Sequence, residues 1–264
     1  MRQGCRGNRR KSCGASDGVR DFGRFIRRGP GRIFGGMPAK NADLHGNVPE
    51  HAEVALLLID VINDLEFPGG ELLLPHALGA ARNIAALKRR CKGLGIPTLY
   101  VNDNFGRWQS DFNKLVDHCL EEGVRGRAVA ELLRPAEDDY FVLKPKHSGF
   151  FSTTLDTLLE YLGARTLILT GLTADICVLF TANDAYMRDF HLFVPGDCVA
   201  SQDAGENAHA LEHMRRVLKA EVRPSGEIDL AGLLRSDNAT GGRGKPNSQP
   251  QAAMHAGDAD AERR

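Results

Sequence analysis

No stretch of this sequence approaches the ~18 consecutive apolar residues that a membrane-crossing helix needs, so neither a membrane anchor nor a membrane partner is expected. Useful cysteine spacing is also missing. The six cysteines form no CxxC pair, which argues against a zinc knuckle and a disulfide framework and fits a reducing, cytoplasmic setting. The formal net charge is zero, but charge is unevenly placed: residues 1–40 hold 11 Lys and Arg against two Asp and Glu, and residues 41–264 hold 23 against 32. The body of the chain is therefore net acidic, and nucleic acid is not expected as a partner of the folded part.

The first 48 residues lack any sustained apolar period and any run long enough for a signal peptide. They are rich in Gly and Arg, as in Arg9-Arg10-Lys11 and Arg27-Arg28-Gly29-Pro30-Gly31-Arg32. They read as a disordered basic tail: either an electrostatic or targeting arm, or an extension upstream of a start near Met37. Residues 236–264, with Gly241-Gly242, Pro246 and Pro250, read as a second disordered tail. One folded domain is left over residues 49–235, and 42% hydrophobic residues is enough to build its core.

Within that domain the hydrophobic period alternates. Val54-Ala55-Leu56-Leu57-Leu58-Ile59 is the continuous apolar run of a strand covered on both faces, and residues 79–92 follow with helical spacing at Ile84, Leu87 and Cys91. Further strands are expected at 97–101, 140–143, 166–170 and 191–194, with a short sixth near Ala220-Glu221-Val222. Helices are expected at about 111–120, 125–133, 152–162, 175–188 and 204–219. Alternating strands and helices predict a three-layer α/β/α sandwich around a mostly parallel, about six-stranded sheet of Rossmann-like topology. Such sheets bind ligands at the carboxyl ends of their strands.

Three reactive side chains end up there. The first strand runs into Asp60, the third into Lys144, and the fourth leads through Thr170-Gly171-Leu172-Thr173-Ala174-Asp175-Ile176 to Cys177 in the first turn of a helix. Unpaired N–H groups and the helix dipole at that position favour a thiolate. A thiolate attacks a carbonyl, a carboxylate takes the thiol proton and returns it to a leaving amine, and an ammonium holds down the thiolate. The backbone N–H groups of Thr173 and Cys177 are the expected donors to an oxyanion. This chemistry requires no metal and no cofactor. Taken singly, each residue has a plainer reading: a strand-end carboxylate, a solvated lysine, a core thiol.

Four motifs together resemble the isochorismatase-like cysteine hydrolases over about residues 50–223. They are Leu57-Leu58-Ile59-Asp60 with Asn63-Asp64, Lys144-Pro145-Lys146-His147-Ser148-Gly149-Phe150 with Thr154-Leu155, Thr170 to Val178, and Thr181-Ala182-Asn183-Asp184-Ala185. The resemblance implies a catalytic triad of Cys177, Asp60 and Lys144 and a cis peptide between Leu172 and Thr173. It also implies hydrolysis of an amide, carbamoyl or ureide C–N bond of a small molecule through a thioester, in a homo-oligomer. Cys177 favours this over the vinyl ether cleavage of the founding activity. Nicotinamidase-like members hold a metal with an Asp-x-His pair after the second strand plus a further histidine; here the segment reads Asp103-Asn104-Phe105, so no metal is expected. Many relatives also place Gln before Asn63 and Phe after Asp64, where this sequence has Ile62 and Leu65.

Asp103, Asn104 and Trp108 follow the second strand on the same sheet edge and are candidate pocket residues. Trp108 suits a stacking wall for a planar substrate or an anchor for a neighbouring subunit. His147, His209 and His213 read as structural, Asp175 as an early-helix acid favoured by the dipole, and Cys198 as a thiol packed beneath the site. Two other functions stay open at this point. A noncatalytic scaffold would show a closed pocket or side chains that do not converge; a redox thiol protein would need a resolving cysteine.

Overall fold

A computed structural model describes residues 51–105 and 111–240, with side chains to Arg235; the expected basic tail over residues 1–48 and Trp108 lie outside the described residues. Strands β1 (Val54–Ile59), β2 (Thr98–Asp103), β3 (Tyr140–Lys144), β4 (Thr166–Leu172) and β5 (His191–Phe193) pair in the order β3-β2-β1-β4-β5, and every pairing is parallel. The strand order turns back between β1 and β4, so the carboxyl ends of these two strands flank the switch point.

Every residue of β1 is buried, because the strand has helices on both faces. Val54, Leu56 and Leu58 point into one core with α1 (Gly70–Gly93), α2 (Phe112–Cys119) and α3 (Arg127–Leu132). Ala55, Leu57 and Ile59 point into the other with α4 (Leu155–Leu162), α5 (Leu179–Tyr186) and α6 (Ala204–Arg216). The two-residue alternation of a strand thus divides one apolar run between two hydrophobic layers. Among the described residues no helix is long and apolar enough to cross a membrane.

Three elements differ from the sequence expectation. The sixth strand is β6 (Val199–Ala200), which pairs with the end of β4, whereas Glu221 makes only an isolated bridge to Phe193. Two residues carry no period, so β6 has no signature of its own. Helix α1 begins at Gly70 rather than about 79. Pro75 falls inside it and masks its first turns, since proline lacks the N–H of a helical hydrogen bond. Helix α7 (Leu230–Thr240) runs past Ser236, where composition ends the domain. Leu230 is buried in the α1-side core, and the guanidinium of Arg90 donates to the carbonyls of Ser225 and Ile228 at 2.7 Å each, tying this segment to α1.

Gly171 is required where β4 meets β1. Its φ is +117°, and a Cβ there would lie 2.0 Å from the Ile59 carbonyl oxygen. Only glycine permits both that backbone and that approach. The close contact seats the carboxyl ends of β1 and β4 side by side, next to Asp60 and the turn that leads to Cys177.

Candidate active site

Asp60 follows β1 with φ +51°, a left-handed conformation that Asp tolerates better than most residues. Its amide still donates to Val101 O at 3.0 Å, so the ladder with β2 holds while the side chain turns inward. The carboxylate then accepts from β2 and from β3 beyond it: Oδ1 from the Asp103 amide at 2.6 Å, and Oδ2 from Lys144 Nζ at 2.7 Å. Lys144 ends β3 and is fully buried. Its ammonium also lies 3.6 Å from Asp103 Oδ2 and donates to Cys177 Sγ at 3.6 Å. A buried lysine with these partners is not a solvated surface charge.

Cys177 sits in a single π-helical turn, Ala174–Val178, between β4 and α5. The Leu172–Thr173 peptide bond is cis. The Thr173 carbonyl accepts from the Ile176 amide at 3.3 Å and the Val178 amide at 3.1 Å, passing over the Cys177 amide between them. Asp175, in the same turn, accepts a 2.5 Å hydrogen bond from the buried Ser201 hydroxyl, which pins the turn to the segment after β6.

The electrostatics correct one sequence expectation. Burial first, and then the Asp60 carboxylate, push the Cys177 thiol up, and Lys144 offsets this only in part. The resting sulfur therefore keeps its proton despite its helix position and needs a base. Burial likewise raises the Asp60 carboxyl, against the opposing pull of Lys144 and Cys177. Burial pulls the Lys144 ammonium down, but Asp60 and Cys177 outweigh it and hold it above its ordinary value.

Asp60 and Cys177 line a cavity of about 390 Å³, within the range of small-molecule sites, with Lys144 buried behind them. Asp103 lines it, as do Leu65, Phe67, Leu73, Phe105, Leu172 and Ile176 on its apolar side. Asn104 is buried, with its amide donating to Lys144 O at 3.0 Å, and it does not line the cavity; Phe105 takes that place. His147, which the sequence suggests is structural, stands at the cavity wall. Its Nδ1 is 3.9 Å from Cys177 Sγ and its ring centroid 5.6 Å from that of Phe180. Asn63, from the first motif, and Gln202, which the sequence does not single out, line the cavity as well. Gln202 reaches the cavity only through the fold, so no local signal marks it.

A divalent ion does not fit the residues present. The Asp103 carboxylate faces Lys144 and accepts from the Phe105 amide, and the Phe105 side chain beside it offers no ligand. Among the described residues no three His, Cys, Asp or Glu side chains are grouped to hold a metal.

Residues 54–223 match the family described as the isochorismatase domain. The chain belongs to the isochorismatase family of hydrolases. It is 41% identical over 177 residues to an uncharacterized isochorismatase family protein, YaaI, of Bacillus subtilis (strain 168), covering 67% of this chain and 97% of that one. Among solved structures it is similar to N-carbamoylsarcosine amidase of Thermoplasma acidophilum, with 31% identity, a TM-score of 0.53, and coverage of 67% of this chain and 99% of that one. It is also similar to the pyrazinamidase/nicotinamidase of Streptococcus mutans UA159, at 28% identity and a TM-score of 0.52, over 64% of this chain and 99% of that one. In this isochorismatase-family member, Asp60, Lys144 and Cys177 all fall within the matched residues.

Proposed function

We propose that this protein hydrolyses a C–N bond of a small amide, carbamoyl compound or ureide through a thioester on Cys177, with Asp60 as acid and base and Lys144 as counter-charge. The carrying observation is that one buried ammonium reaches both the carboxylate, at 2.7 Å, and the sulfur, at 3.6 Å, and that these two partners line a cavity. A scaffold that only binds would not need this arrangement, and the names of the similar amidases point to the same bond class.

Asp60 takes the Cys177 proton as the sulfur attacks the carbonyl carbon of the substrate. The oxygen gains the charge and is met by the Thr173 and Cys177 amides. Collapse breaks the C–N bond, and Asp60 returns its proton to the departing nitrogen, releasing ammonia or an amine. Asp60 then deprotonates water, the hydroxide adds to the thioester, and loss of the thiolate frees the acid. The thiolate regains the proton from Asp60.

An ammonia-release assay over nicotinamide, N-carbamoylsarcosine and small ureides tests the bond class, and quenching during turnover should leave an acyl mass on the Cys177 peptide. Release of product with no acyl adduct on Cys177 under any quench would remove the thioester route.

The pH profile follows from the raised Asp60 carboxyl. The base must be ionised, so kcat/KM should fall as pH drops through a value above the ordinary carboxylate range, which centres near pH ~4. An acid limb within that ordinary range would contradict Asp60 as the base.

A further inference from the structure

The Thr181-Ala182-Asn183-Asp184-Ala185 motif has no part in the chemistry above, yet two of its side chains grip the loop that carries His147. Thr181 is fully buried one helical turn beyond Cys177. Its hydroxyl donates to the Cys177 carbonyl at 2.7 Å and accepts from the Gly149 amide at 3.0 Å. Asp184, three residues on and on the same face of α5, accepts a short hydrogen bond from the Ser148 hydroxyl. Arg188 backs this residue: its Nη1 donates to the Asp184 main-chain carbonyl at 2.9 Å and to the carboxylate at 3.4 Å, its Nε donates to Asp156 at 2.9 Å, and its guanidinium lies 4.6 Å from the Phe150 ring centroid.

The loop held in this way begins at Lys144, at the end of β3. Its tip cannot shift freely toward the core. A Cβ on Gly149 would already lie 2.8 Å from Val101 Cγ1, so the loop packs against β2 with no space to spare. The helix carrying the sulfur and the loop carrying the ammonium and the imidazole are therefore joined at two points. One of them is a single hydroxyl bonded to the main chain of both.

We propose that Thr181 and Asp184 are positioning residues that latch the Lys144–Phe150 loop to the Cys177 turn and so set the Lys144–Cys177 spacing. This rests on Cys177 being the nucleophile. A hydroxyl bonded back to the carbonyl four residues earlier is common in helices and by itself carries no function. Its second bond, to Gly149, separates a latch from that ordinary case.

The test uses iodoacetamide on the full chain, with alkylation of Cys177 followed by peptide mass, so that no substrate need be known. Thr181→Val keeps the shape and removes the hydroxyl. It should slow alkylation of Cys177 by about tenfold or more as the ammonium loses its place beside the sulfur, and Thr181→Ser should restore the rate to within about twofold of wild type. A hydroxyl that merely supports the helix would lower the melting temperature of Thr181→Val and leave the Cys177 rate within twofold of wild type; that result, or faster alkylation, overturns the latch. If Thr181→Val does not fold, Ser148→Ala opens the Asp184 side alone and should slow alkylation about threefold, an unchanged rate again overturning it. Ammonia release by Cys177→Ala, read in parallel, would sink the nucleophile assignment without bearing on these rates.

Discussion

Cys177→Ala should lower C–N bond hydrolysis by at least about 10⁴-fold while leaving the fold intact, because on the proposed route its thiol carries the covalent intermediate. Cys177 is partly exposed where Cys91, Cys119 and Cys198 are buried, so truncating it opens no core cavity, and stability should change by less than about 1 kcal/mol. The same exposure makes Cys177 the first of these four to react with an alkylating agent. Burial raises all four thiols, Cys177 included, so access to the reagent rather than acidity sets this order. Turnover comparable to wild type in Cys177→Ala would remove this residue from the mechanism.

Lys144→Met should cost both activity and stability, through one cause. The ammonium is fully buried and the Asp60 side chain is only 7% exposed, so removing the cation leaves a carboxylate with neither solvent nor counter-charge. Breaking a buried pair in this way costs about 3–5 kcal/mol. Loss of the charge beside the sulfur should lower kcat by about 10²–10³-fold, in line with the removal of a single electrostatic stabiliser.

The stability loss in Lys144→Met has a pH signature. Asp60 is already raised in the wild type, and without Lys144 it rises further. The folded state then holds a proton that the unfolded state has released, between the unfolded value near pH ~3.9 and the raised folded value. Stability therefore falls as pH rises across that window, and the deficit should be largest above the folded value and shrink on acidification. Urea midpoints of both proteins at pH 5 and pH 8 measure this. A deficit that is the same at both, or larger at pH 5, would show that Asp60 is not the group left unpaired.

Apolar runs and their spacing are enough to read a parallel α/β sandwich here, because a strand covered on both faces must be apolar throughout, as Val54–Ile59 is. The same logic puts Asp60 and Lys144 at strand ends and Cys177 in the turn after β4, so the three chemical groups are legible one by one. The elements that were missed have a shared physical character. Strand β6 is two residues whose pairing is decided by β4, α1 begins ahead of a proline, and α7 is held by Leu230 in the core and by bonds from Arg90 near its start. Each depends on contacts from distant chain rather than on local period.

What the sequence determined by itself is which side chains stand at the carboxyl edge of the sheet, since position along a strand is a local property. What only the tertiary structure decided is how they act on one another. The 2.7 Å ion pair to a fully buried ammonium, the thiol that keeps its proton, and the entry of His147 and Phe105 into the cavity all follow from desolvation and distance. Those quantities exist only once strands far apart in sequence lie side by side.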